Sequence, residues 1–176
     1  MASVFLGTCA LPSRGRSCSH MAREASTNTS ERRTWTIAFV VWLCIVWGHS
    51  LMSGDTSSAE SSGVVDLLRP LFELFGVRDD HAMSFIVRKT AHFSEFAILV
   101  ALGLRMSVAW LGPGVHAHVL AAAIWVLAPC VDESIQLLVP GRAGMFGDVL
   151  IDMSGGLLGM LCMSLWIWLL PNRRKE

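Results

Sequence analysis

Four segments of the chain are apolar over lengths that suit a lipid bilayer, and short polar or glycine-containing stretches separate them. The first runs from Trp35 to Met52 without a charged residue, and at the helical rise of about 1.5 Å per residue it would be roughly 27 Å long. The second, at 84–104, is apolar only in its later half, and the others lie at 115–139 and 146–170. The pattern predicts an all-α membrane protein, a bundle of four transmembrane helices.

The segment between the first two spans contains a shorter amphipathic pattern. Residues 64–75 have apolar side chains at helical spacing, which Pro70 interrupts. Such a helix buries its apolar face in the membrane surface rather than crossing the bilayer. We therefore predict a short amphipathic helix on the outer face.

Basic residues set the expected orientation, because Lys and Arg flanking a span are retained in the cytoplasm. Residues 1–33 carry five arginines, show no periodicity and predict a disordered basic cytoplasmic N-terminus, with Met21 as an alternative start. Residues 34–170 form the predicted transmembrane domain, and residues 171–176 a basic cytoplasmic tail. The acidic segment between spans one and two lies outside on this topology. An even number of spans places both termini on the same side, and the basic residues make that side the cytoplasm.

Composition narrows the possible function. Hydrophobic residues make up 53% of the chain, mean hydropathy is +0.52, and 14 basic residues balance 14 acidic ones. A chain without net positive charge lacks the field that holds nucleic acid, so we expect no nucleic-acid partner and take the lipid bilayer as the first partner. The five cysteines lack metal-site spacing. We expect no metal and no cofactor.

Ionisable residues inside the predicted spans are the most informative feature. Each costs at least a few kcal/mol in lipid, so they usually face the bundle interior, a cavity or the interface. On the predicted topology the polar clusters of spans two, three and four lie at one depth, near the outer side, and the turn between spans three and four adds a guanidinium. Together with the uncharged Gln136, the set is Lys89, His92, Glu95, Asp132, Glu133, Gln136, Arg142, Asp148 and Asp152.

Helical geometry indicates where the acids of the last span point. Asp148, Asp152, Gly155 and Gly159 share one face of that helix, and the two glycines form a small-xxx-small pattern that allows close helix packing. The acidic face should therefore point at a neighbouring helix and not at lipid.

Several motifs follow one another along the chain: a serine-rich outer loop at 50–62, Arg88-Lys-Thr-Ala-His-Phe-Ser-Glu95, Asp132-Glu-Ser-Ile-Gln136, Val139-Pro-Gly-Arg142 and Asp148-Val-Leu-Ile-Asp152. In this order they resemble the VanZ-like family of bacterial membrane proteins. The resemblance covers about residues 38–168, and Phe96 and Ile135 stand where family members often have Tyr and His. It implies a multi-pass protein of the bacterial cell (inner) membrane, and the name-giving members lower susceptibility to the glycopeptide teicoplanin.

Several readings of the polar cluster stay open. In the first, it fixes helix packing by ion pairs, and the protein is a binding module for a lipid head group or a cell-wall precursor. Ligand contacts are then expected from Lys89, Gln136, Arg142, Asp148 and Asp152.

In the second reading, the protein is an intramembrane enzyme acting on a lipid-linked wall precursor. His92 would be a general acid or base, because its ordinary pKa lies near neutrality. Glu95, Asp132 and Glu133 complete the catalytic candidates, and a variant of this reading has these four residues bind a cation. The third reading, transport, is disfavoured because polar groups at one depth make no path across a membrane.

Overall fold

The computed structural model describes residues 18–142 and 145–169, with the side chains of residues 18–28, 55 and 58 left aside. Over this range the chain is almost entirely helical and contains no strand. The helices are α1 (Cys18–Ser50), α2 (Gly54–Leu74), α3 (Asp80–Leu111), α4 (Val115–Leu138) and α5 (Phe146–Leu169).

Three of these helices, α3, α4 and α5, are long and apolar enough to cross a membrane among the described residues. The predicted all-helical membrane fold is confirmed to this extent, whereas the count of four spans is not. Helix α1 does not meet the same criterion. Its apolar segment contains three tryptophans and ends in Gly48, His49 and Ser50, which reduce its hydropathy.

The chain outside the spans is more helical than its sequence indicates. Helix α1 begins at Cys18, inside the segment 1–33 that we expected to be disordered, and residues 1–17 lie outside the described part. Ala, Arg and Glu near its start are good helix formers, and the apolar half of α1 extends the same helix. The serine-rich segment 50–62, expected to be a loop, is mostly the first part of α2.

Helix α2 is the predicted amphipathic helix, with a start earlier than expected. Ser53 caps it by accepting a hydrogen bond from the Thr56 backbone N–H at 3.4 Å. Ser61 and Val65, one turn apart, are buried. Leucines 67, 71 and 74 are exposed and form a separate apolar stripe, which suits contact with a membrane surface.

Helix α3 is the centre of the bundle and packs against all four other helices, most extensively against α5. The core where α1, α3 and α4 meet contains Val46, Phe96, Leu99 and Ala128. Side-chain contacts place α1 antiparallel to α3: Trp42 donates to the Glu95 carbonyl at 2.9 Å, and Trp110 donates to Thr36 at 2.9 Å.

The α3–α5 contact depends on glycine. A Cβ at Gly155 would overlap the Phe93 carbonyl oxygen, and one at Gly159 would overlap the Ala97 carbonyl oxygen. The predicted small-xxx-small face is therefore confirmed as the face that packs on α3. Because these two backbones touch, Asp148 and Asp152, earlier on the same face of α5, are brought to the first half of α3.

Candidate functional site

The described candidate site residues gather at one end of the bundle, which we call the pocket end. It comprises the last turn of α1, the first half of α2, the first half of α3, the last turns of α4 with the following loop, and the start of α5. Gln136, Asp132 and Asp152 are buried here, together with Ser50. Residues that are distant in sequence are therefore brought together at this end of the bundle.

Asp132 is the best-satisfied acid of the pocket end. Its side chain is fully buried, one carboxylate oxygen accepts from the Ser50 hydroxyl at 2.6 Å, and the other accepts from the Gln136 amide at 2.8 Å. Hydrogen bonds to a carboxylate are stronger than neutral ones. Gln136 thus acts first as a support for Asp132, and Ser50 joins α1 to α4.

His92 and Asp152 face each other across the α3–α5 contact. The His92 Nδ1 lies 3.6 Å from an Asp152 oxygen, too far for a hydrogen bond, and Asp152 is fully buried. Neither this nitrogen nor either Asp152 oxygen has a hydrogen-bond partner among the described residues. Buried polar atoms are rarely left in this state.

Lys89 forms an ion pair and hydrogen bond with Asp148, about one turn from the His92–Asp152 contact. Both side chains are mostly buried, at 19% and 13% exposure. The Lys89 ammonium also lies 5.2 Å from the centre of the Phe85 ring. The Lys89 ammonium is therefore already paired with groups of the protein, which weakens the prediction that it contacts a ligand.

His49 was not among the predicted site residues, yet it joins three helices. One ring nitrogen lies 3.0 Å from a Glu95 oxygen and the other 3.1 Å from a Glu60 oxygen. Glu95 is therefore already engaged. A histidine immediately before Ser50 at the end of an otherwise apolar segment was the signal that could have identified both residues.

Arg142 is placed by a tight loop between α4 and α5. Gly141 has φ +77°, a left-handed conformation that favours glycine, and the Gly54 N–H donates to the Pro140 carbonyl at 3.4 Å. The Arg142 guanidinium donates to the His49 carbonyl at 3.0 Å. Burial lowers its pKa from the usual value, although nearby Asp132, Glu95 and Glu60 act in the opposite direction. A guanidinium nevertheless stays charged in proteins.

A cavity of about 120 Å³ opens beside these groups. Helix α2 forms one wall, α3 another, and the α4–α5 loop the rim. Its charged and titratable lining consists of His49, Glu60, Arg88, His92, Glu95 and Arg142. This volume holds a few water molecules or a small polar group rather than a drug-sized ligand.

The distances between side chains divide the candidate residues into separate groups. Asp132, which accepts a hydrogen bond from Gln136, has a carboxylate oxygen within 4.8 Å of ligand atoms of His92 and Asp152. Lys89 lies with Asp148, and Glu133, 8% exposed, belongs to the buried residues of the same helix as Asp132. Glu95 and Arg142 lie at the cavity, where each is linked to His49.

Comparison with known proteins gives one family. A family model described as VanZ/LLP1 matches residues 35–168, which is most of the chain. Neither the comparison with curated proteins nor that with solved structures returned a match. The matched range begins in α1 and ends in α5, so it contains every residue of the pocket end described above.

Proposed function

Because this chain belongs to the VanZ/LLP1 family, we propose that it acts in the bacterial cell envelope by binding an anionic group in the cavity of the pocket end. The group would be a lipid head group or the phosphate of a cell-wall precursor. The membrane itself is the other partner, since α3, α4 and α5 have the length and hydropathy to cross it.

The observation that carries this proposal is the imbalance of available donors and acceptors in the cavity. Both glutamates of the lining already contact His49. Arg88 has no hydrogen-bond or ion-pair partner in the described part of the chain, and Arg142 donates to a single carbonyl. Guanidinium groups match carboxylate and phosphate geometry. A ligand entering the cavity would find free cationic donors and few free acceptors.

We further propose that α1 supplies a fourth span, with the pocket end outside and both termini in the cytoplasm of the inner membrane. The antiparallel contact of α1 with α3 and its part in the core support this arrangement. The orientation is supported by the basic residues of segments 1–33 and 171–176, because Lys and Arg beside a span favour the cytoplasmic side.

On this topology the cavity faces the compartment where glycopeptides act. Binding of a precursor or lipid there would lower susceptibility to teicoplanin by changing what the drug can reach. This effect belongs to the proposal and follows from the resemblance of the motifs to the resistance-conferring members.

The test replaces the free cations. Arg88→Gln and Arg142→Gln should each weaken binding of a phosphate-bearing lipid to the purified protein roughly 10- to 100-fold, because a charge-assisted hydrogen bond is worth about 1.5–3 kcal/mol. Lipid retained by the protein in native mass spectrometry measures binding, and the teicoplanin concentration that inhibits an expressing strain measures the effect.

Arg69→Gln is the matched control. Arg69 is an α2 guanidinium paired with Asp66 and Asp80 and takes no part in the cavity lining. Binding and susceptibility that are equal in all three variants, at equal abundance, would contradict the proposal.

A second candidate, an enzyme acting on a lipid-linked precursor, is favoured by one observation: His92 lines the cavity while its Nδ1 faces Asp152. A carboxylate can orient an imidazole that acts as a general acid or base. This candidate predicts that His92→Gln keeps lipid binding but abolishes turnover of a labelled precursor in proteoliposomes. If the wild-type protein turns over no such precursor, the binding function alone stands.

A further inference from the structure

Three side chains from three helices lie close together in the interior of the pocket end. His92 comes from α3, Asp132 from α4 and Asp152 from α5, and a potential ligand atom from each lies within 4.8 Å of the others. Both aspartates are fully buried, while His92 is 19% exposed and also lines the cavity. A nitrogen and two carboxylate oxygens therefore converge on one point, and one of the three residues also lines the cavity.

The hydrogen-bond pattern of this trio is incomplete. Both Asp152 oxygens and the His92 Nδ1 are buried with no hydrogen-bond partner in the described residues. Each such atom carries the cost of lost hydration without compensation. Asp132 differs, because Ser50 and Gln136 hold its two oxygens at 2.6 Å and 2.8 Å. Outer hydrogen bonds that fix a carboxylate are typical of metal ligands.

Two simpler explanations do not fit the distances. A proton shared between the aspartates would place an Asp152 oxygen in a hydrogen bond, and none exists. An ion pair with a protonated His92 would be expected at hydrogen-bond length, whereas the atoms are 3.6 Å apart. When both carboxylates are ionised and the imidazole is neutral, the trio carries two negative charges, and a divalent cation would balance them.

We propose that His92, Asp132 and Asp152 bind a divalent transition-metal ion such as Zn²⁺ or Mn²⁺. Imidazole nitrogen and carboxylate oxygen suit both ions. Three protein ligands leave room for a further ligand, as in catalytic zinc sites. The site replaces the expectation of no metal. It also differs from the cation set considered from sequence, because Glu95 contacts His49 and Glu133 lies outside the trio.

This inference does not rest on the anionic ligand proposed above, and its test uses the metal alone. The full chain, purified in detergent and stripped with a chelator, is incubated with ZnCl₂ or MnCl₂ and desalted, and bound metal is measured by mass spectrometry. We expect one ion per chain and a higher melting temperature with the metal than without it.

The variants are Asp152→Asn and His92→Asn, which should reduce bound metal to background. Ser50→Ala removes only a support of Asp132 and should weaken affinity roughly 10- to 100-fold. His118→Asn is the control. It removes a histidine of α4 that contacts Ser164, far along the bundle from Asp132, and it should bind metal like the wild type.

Melting temperatures measured without metal distinguish a variant that no longer binds the ion from one that is merely unstable. Asp152→Asn without metal should melt no lower than the wild type, because it removes a buried carboxyl group whose oxygens have no hydrogen-bond partner in the described residues, but added metal should no longer raise its melting temperature. Absence of bound metal in the wild type would overturn the proposal. Equal metal in Asp152→Asn and His118→Asn would also overturn it, as adventitious binding.

Discussion

The two ends of the bundle both contain charged residues, but they use them differently. At the end opposite the pocket, Arg105 pairs with Glu31 at 3.1 Å and its guanidinium lies 4.8 Å from the centre of the Trp35 ring. Arg32 donates to the Ala109 carbonyl at 3.1 Å and lies 5.3 Å from the centre of the Trp110 ring. We call these four residues, Arg32, Trp35, Arg105 and Trp110, the arginine–tryptophan end.

The two ends differ in how deeply their charged side chains are buried and in whether the polar atoms of those side chains have partners. Side chains of the arginine–tryptophan end are partly exposed and have partners, as expected of residues that anchor a bundle at a membrane interface. At the pocket end Asp152 is fully buried and its oxygens have no hydrogen-bond partner in the described residues. Stability alone does not account for such an arrangement, because buried polar atoms without hydrogen-bond partners are unfavourable. The buried polar atoms without partners thus lie at the end to which we assign the proposed function.

The largest effect should come from breaking the pocket-end ion pair. Lys89→Met leaves Asp148 mostly buried without its partner, and removal of one member of such a pair lowers the free energy of unfolding by about 3 kcal/mol. Denaturant titration of the purified protein measures it. The double variant Lys89→Met with Asp148→Leu should recover most of the loss. A double variant as unstable as the single one would show that the pair is not the cause.

A smaller loss should follow from separating α3 and α5. Gly155→Ala places a Cβ against the Phe93 carbonyl oxygen, so the backbones must move apart. Overpacking of this kind costs about 1–3 kcal/mol. Gly147→Ala, on the same helix with nothing near the added Cβ, is the control. Thermal unfolding should distinguish the two, and similar melting temperatures would contradict the close packing seen here.

The smallest effect is expected at the arginine–tryptophan end. Arg105→Gln removes the Glu31 pair and the contact with the Trp35 ring, together about 1 kcal/mol, because both groups keep some hydration. High salt should reduce the difference from wild type, since it screens the ion pair. If Arg105→Gln destabilised the protein as much as Lys89→Met, the contrast between the two ends would be lost.

Sequence patterns predicted α4 and α5 almost to the residue. Gly112-Pro-Gly114 and Pro140-Gly141 mark the turns, and proline and glycine end helices for local reasons that a sequence displays. The clustering of Asp132, His92 and Asp152 was predictable too, because ionisable groups in apolar helices have few places to lie.

The pairing within the cluster was not predictable. Which acid contacts Lys89, and which approaches His92, depends on the rotation and separation of α3 and α5, and these are set by the contact at Gly155 and Gly159. Likewise, the helical state of residues 54–62 depends on packing of α2 against α3. Serine-rich composition favours a loop when local preference alone decides.

Two connections of the chain are joined in the folded protein. The Gly54 N–H at the start of α2 donates to the Pro140 carbonyl, and the Arg142 side chain donates to the His49 carbonyl. The α1–α2 turn and the α4–α5 loop are thereby fastened to each other. A displacement of the start of α2 would therefore also shift the loop that carries Arg142, so these two hydrogen bonds couple the position of α2 to the mouth of the cavity.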